Sequence, residues 1–143
     1  MKLLKMCAAT LLLLTLIPGT AMAEQKKQLG TWDVHYIAMP STFIEPAIAK
    51  SYNIERSKFN GLVNISVLNS KDQKAQQVTI SGNAKNLLGQ QKALTFQQVV
   101  EGEAVYYLAQ LPFRNEERFT LSIDISQGNQ SQQLKFEHTF YVE

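Results

Sequence analysis

Asp33 and His35 stand two residues apart in a run, Trp32 to Tyr36, that alternates apolar and polar side chains. On a strand that spacing puts both on one face. A carboxylate that orients an imidazole is two-thirds of a hydrolytic triad, with Ser41 and Ser66 as the nearby hydroxyls. The sequence has no Gly-x-Ser-x-Gly elbow and no glycine-rich oxyanion loop. The pair is therefore assigned to the polar face of a strand and no catalytic residue is named. A small hydrolase using Asp33 and His35 stands as the alternative function. Asp33, His35 and Met39 are the candidate metal set for a further alternative, a metal-handling protein. An exported copper or zinc site usually gathers three or four His, Cys or Met ligands, so no metal site or cofactor is assigned. His138 falls in an apolar row and reads as a buried, neutral, hydrogen-bonded imidazole.

The constellation assigned to binding is Tyr52, Arg56, Ser57, Lys58 and Asn60. Arginine offers a planar fork for carboxylate or phosphate, lysine a mobile charge, and tyrosine a stacking face with a hydroxyl. Together they suit a small acidic or sugar-like group, or an envelope protein. The competing role for Arg56 is structural, an ion pair with Glu55 or Glu45 that fastens the segment down. Outward glutamines, among them Gln76, Gln97 and Gln132, are donor and acceptor at once but serve equally as neutral surface. Asn64-Ile65-Ser66 and Asn129-Gln130-Ser131 fit a glycosylation sequon; they are discounted because the leader described below has a bacterial form.

These residues lie on or beside an insert, Met39 to Asn60, that does not follow strand alternation. Thr42 and Glu45 fit a capping box, and Pro46 fits the first turn of a helix. A short helix is expected at about Glu45 to Tyr52, with Phe43, Ala47 and Ile48 on its buried face. Asn53 is its left-handed stop and Ile54 its anchor. The rest is strand after strand. Trp32, Val34 and Tyr36 form one inward row; Val63, Ile65 and Val67 another; Phe119, Leu121, Ile123 and Ile125 a third. Leu62, Leu68, Tyr106 and Leu108 fall on the outward side, which predicts strands covered on both faces. About seven strands joined by Gly, Asn, Asp and Ser turns predict an all-β fold. The expected form is an immunoglobulin-like antiparallel β-sandwich, with one short helical insert between its first two strands.

Residues 1 to 23 read as a secretory signal peptide. Lys2 and Lys5 precede an apolar run from Met6 to Ile17, and Ala21-Met22-Ala23 supplies a cleavage site. The run is shorter than the roughly 20 residues a bilayer demands, so no membrane span is expected after cleavage. Without Lys2 and Lys5 the 14 basic residues fall to 12, against 12 acidic ones. A neutral product without a basic stripe argues against nucleic acid as partner. Cys7 is the only cysteine, so residues 24–143 can form no disulfide and must stand as one domain on one core.

The run Trp32-Asp33-Val34-His35-Tyr36 is followed by Ser41-Thr42-Phe43, Pro46, Tyr52-Asn53-Ile54-Glu55-Arg56-Ser57-Lys58 and Asn64-Ile65-Ser66-Val67. The chain closes on Thr139-Phe140-Tyr141-Val142. Carrying these segments, it resembles a family of small exported proteins of Gram-negative bacteria known as domain of unknown function 4426. The likeness spans about residues 27 to 143, with Tyr-x-Ile-x-Arg-Ser its most distinctive part. It implies a periplasmic β-sandwich and carries no assigned activity. The expected function is a periplasmic, non-enzymatic binding or adaptor module.

Overall fold

The computed structural model of the protein describes residues 24–142. The expected signal peptide, residues 1–23 with Cys7, lies outside the described residues. Among these, nine strands and one helix follow in the order β1 (Gln25–Leu29), β2 (Trp32–Pro40), a 3-10 turn (Ser41–Phe43), α1 (Pro46–Ser51) and β3 (Asn60–Asn69). Then come β4 (Thr79–Asn86), β5 (Gln91–Leu94), β6 (Gln97–Glu101), β7 (Ala104–Pro112), β8 (Glu117–Gln127) and β9 (Gln130–Phe140). The strands form a five-stranded sheet in the order β1-β2-β3-β7-β6 and a four-stranded sheet in the order β5-β4-β8-β9, with every pairing antiparallel. The expected all-β sandwich is the fold.

Two-residue periodicity explains the core. Trp32 and Val34 on β2, with Val63, Ile65 and Val67 on β3, meet Phe119, Leu121, Ile123 and Ile125 on β8, all essentially buried. Each such side chain contributes about 1.5–3 kcal/mol on leaving water. At Gly61 a Cβ would stand 2.5 Å from the Phe140 ring, so only glycine lets β3 pass beneath it. Gly102, at φ +59°, supplies the left-handed first position of the two-residue turn between β6 and β7.

The strand count is nine rather than about seven. β1, the run Gln25–Leu29, has no apolar row because it is an edge strand; only Leu29 packs against the core. β5, which ends at Leu94, joins one sheet, and β6, which begins at Gln97, joins the other. Residues 70–78 form a loop that touches β3 through a Leu68–Ala75 bridge, and β4 begins only at Thr79. The helical insert accordingly lies between β2 and β3.

Candidate functional site

The insert packs on the outer face of the five-stranded sheet. Ala49 and Ile54 bury there against Leu62 of β3, with Met39, Ile44, Tyr52 and Leu108 around them. The helix differs from expectation in its start and its face. Thr42 lies in the 3-10 turn, and Glu45 occupies the N-cap with no side-chain capping bond, so no capping box forms. Pro46 is the first helical residue, as its fixed φ favours. Phe43 and Ile48 stay about half exposed while Ala49 faces the sheet. The far end follows the reading: Asn53 takes φ +54°, Ile54 N donates to Ala49 O at 2.8 Å and Asn53 N to Lys50 O at 3.4 Å. That pair of bonds is a Schellman closure, and it delivers Ile54 to the sheet.

Three of the five expected binding residues, Arg56, Ser57 and Asn60, take up places in the joint between the insert and β3. Arg56 Nε donates to Ile44 O at 2.7 Å and Nη2 to Thr42 O at 3.1 Å, so its fork grips the chain entering α1. Ser57 exchanges two bonds with the fully buried Ser41: its N–H donates to Ser41 Oγ at 3.0 Å, and that hydroxyl donates to Ser57 O at 3.1 Å. Asn60 Nδ2 donates to Glu55 O at 2.8 Å and to Gln110 Oε1 at 3.0 Å. Gln110 completes the clamp, accepting from Glu55 N at 2.9 Å and donating to Asn53 O at 3.1 Å. Lys58 is exposed, its Nζ 5.4 Å from the Phe59 ring centre. Tyr52 borders a cavity, and its hydroxyl donates to Glu101 Oε1 on β6 at 2.7 Å. That bond holds the phenol proton and raises the Tyr52 pKa above the usual value, with desolvation and the Glu101 charge adding to it.

Two chambers open on this outer face. The first, about 140 Å³, lies under the insert and is mainly apolar; Met39, Ile48, Leu62, Val99 and Leu108 line it, with Tyr52 and Glu101 also on its wall. The second, about 390 Å³, lies between the sheet and the 70–78 loop, where His35 and Ser66 meet Glu24, Gln73 and Glu103. Tyr106 borders both. Asn64 belongs to the first chamber and His35 to the second, and Asn64 Oδ1 and His35 Nε2 are buried without a hydrogen-bond partner among the described residues. They sit on adjacent strands: His35 pairs with Ser66 and Ile37 with Asn64. The two side chains are thus diagonal neighbours, about 7 Å apart at Cβ.

The chemistry weighed for Asp33 and His35 is not assembled. Asp33 is nearly buried, and its Oδ2 accepts from Gln73 Nε2 at 2.9 Å, with Lys26 Nζ at 4.0 Å. His35 turns Nδ1 toward Glu24 Oε1 at 3.8 Å, and its Nε2 meets no serine. Ser41, the other candidate hydroxyl, is engaged with Ser57 at the opposite end of β2. Met39 lies under the insert, four residues along β2 from His35, roughly 13 Å at strand rise. Among the described residues no three His, Cys, Asp or Glu side chains gather as a metal site. His138 is half-buried and packs edge-on to Phe140, ring centres 4.5 Å apart.

Asn64, Glu101, Tyr106 and Gln110 are the residues of this face to which the sequence alone gave no part in a site. The one signal for them was the apolar character of the outward positions on β3 and β7, which marked a covered face without saying by what.

The fold and this face define a small antiparallel β-sandwich whose larger sheet carries a lidded, two-chambered outer surface. The chain belongs to the family described as Domain of unknown function (DUF4426), which it matches over residues 26–143. It is similar to the crystal structure of a DUF4426 family protein from Pseudomonas aeruginosa PAO1, at 30% identity and TM-score 0.74, over 84% of this chain and 96% of that one. At 11% identity and TM-score 0.60 it shares its fold with FetP of uropathogenic Escherichia coli, over 86% of this chain and 98% of that one. A copper-bound FetP variant is similar at 12% identity and TM-score 0.60, over 85% and 92%. A search among curated proteins finds no match.

Proposed function

We propose that this protein is a periplasmic, non-enzymatic binding module that holds a small organic molecule on the outer face of its five-stranded sheet, beneath the helical insert. The signal-peptide pattern of residues 1–23 supports export, with residues 24–143 as one β-sandwich domain. FetP, the distant neighbour, was expressed in the periplasm. The observation that carries the reading is the apolar chamber of about 140 Å³, open to solvent on one side, walled by the insert and bridged at its rim by Tyr52 and Glu101. Ligand pockets combine apolar walls with a few placed polar groups in this way. Tyr52 is a rim residue of the site, and Arg56, Ser57 and Asn60 keep the insert seated over it. Lys58 and the half-exposed Phe59 face outward, a place for an envelope partner to touch the loaded module. No copper role is proposed for this chain, since among the described residues no three His, Cys, Asp or Glu side chains gather.

The test is binding of the neutral apolar dye N-phenyl-1-naphthylamine, read by fluorescence. The protein should bind it, and Leu108→Trp, which fills the chamber, should weaken binding at least tenfold with the melting temperature kept. No binding by the unaltered protein, or equal binding by the filled variant, overturns the reading.

A further inference from the structure

The reading just given leaves the ligand's chemistry open, and the inference that follows rests on it. Buried polar atoms in folded proteins are nearly always paired. Among the described residues, two buried side-chain N or O atoms are not, Asn64 Oδ1 and His35 Nε2. They occur on one face of one sheet, on adjacent strands, and their residues line two chambers that share Tyr106 as a wall. The Asn64 oxygen is an acceptor. His35 turns Nδ1 to the Glu24 carboxylate at 3.8 Å, and in the neutral tautomer protonated at Nδ1 the Nε2 atom carries a lone pair. Both atoms therefore ask for a donor.

Charge points the same way. Glu24 and Glu103 line the polar chamber and Glu101 the apolar one, while no lysine or arginine among the described residues lines either. A protonated amine brings several N–H donors and a positive charge to three carboxylates, whereas a carboxylate ligand would be repelled by them and would donate nothing. The apolar chamber, walled by Met39, Ile48, Leu62 and Leu108, fits a short hydrocarbon tail. We infer that the site takes an amphipathic primary amine, its apolar tail under the insert and its ammonium group near Tyr106, between Asn64 Oδ1 and His35 Nε2. A transition-metal cation would satisfy His35 but leaves Asn64 and the apolar chamber without a role.

Calorimetric titration of the full chain from residue 24 with hexylamine, hexanol and hexanoate tests this. Hexylamine should bind at least tenfold more tightly than hexanol, with hexanoate weaker still. His35→Leu, outside the apolar chamber, should erase the preference for amine over alcohol while still binding the neutral dye, which reports that the fold and that chamber are intact. Asn64→Leu should erase it too, its fold checked by thermal melt. Equal affinity for amine and alcohol, tighter binding of hexanoate, or an unaltered amine preference in both variants overturns the inference. If that happens while the dye still binds, the binding-module reading stands; if the dye also fails, both fall.

Discussion

The Tyr52 hydroxyl donates to Glu101 Oε1 at 2.7 Å, joining the end of the insert to the edge strand β6 across the mouth of the apolar chamber. Tyr52 caps α1 and Glu101 ends β6, so the bond ties together two elements that share no backbone pairing. It is at once a strap for the insert and a removable closure for what lies beneath. Tyr52→Phe should leave the melting temperature nearly unchanged and speed release of the apolar dye, measured by stopped-flow. The raised phenol pKa gives a second readout. In a phenolate absorbance titration one tyrosine should ionise later than an ordinary phenol, and both Tyr52→Phe and Glu101→Gln should remove that late step.

Arg56 belongs to the other side of the insert. Its guanidinium satisfies the carbonyls of Thr42 and Ile44, groups that the non-helical entry to α1 would otherwise leave to water. Arg56→Ala should lower stability by about 1–2 kcal/mol, the scale of hydrogen bonds from a charged donor. Lys58→Ala should leave stability unchanged, since Lys58 makes no bond to the insert. Thermal melts of the two single variants decide this. Equal, negligible effects would leave Arg56 available for a ligand.

How much of this was readable beforehand follows from periodicity. Inward rows such as Phe119-Leu121-Ile123-Ile125 declare themselves, because each alternate position must leave water. The edge strand β1 did not, since Gln25 to Gln28 bury nothing and its pairing with β2 is made by backbone alone. The insert was legible as an interruption, and Asn53 as its stop. Its buried face was not: one or two turns carry too few residues for a helical period, and docking on Leu62 selected Ala49 over Phe43. The Asn60–Gln110 clamp joins residues fifty positions apart, and sequence spacing holds no record of such a pairing. The outward Leu62, Tyr106 and Leu108 showed that the face is covered; only the strand register placed Asn64 and His35 beside one another on it.

Gly61 gives a packing test away from the site. A methyl group there would stand 2.5 Å from Phe140 Cε1 and 3.1 Å from Leu111 O, and the backbone oxygen cannot yield. Gly61→Ala should cost about 1–3 kcal/mol by overpacking. Adding Phe140→Leu, which trims the ring, should make the double variant more stable than the sum of the two losses predicts, as neighbouring sites couple. Chemical denaturation of the four chains in the cycle measures this; strict additivity would show that Phe140 is not the obstacle.

Acid should weaken the fold in two stages. Desolvation by burial lowers the His138 pKa from its usual 6.5, so between the folded value and 6.5 the unfolded chain binds more protons. Stability then rises with pH across that interval, is complete above about 6.5 and is lost as the pH falls below it. Glu117 acts at lower pH. Burial pushes its carboxyl up, but the Asn86 amide, the Arg114 N–H and the charges of Lys92 and Arg114 together lower it below the usual 4.5. Its contribution is therefore present above about 4.5 and disappears as the pH falls through the folded value. Urea titrations across this range should show both declines in the unaltered protein, with His138→Gln abolishing only the upper one and Glu117→Gln only the lower. Because Asn86 also holds the turn into β5 through bonds from Leu88 N at 3.0 Å and Gln90 N at 2.9 Å, protonating Glu117 loosens that hairpin first. Amide exchange at Leu88 and Gln90 should therefore accelerate before global unfolding begins.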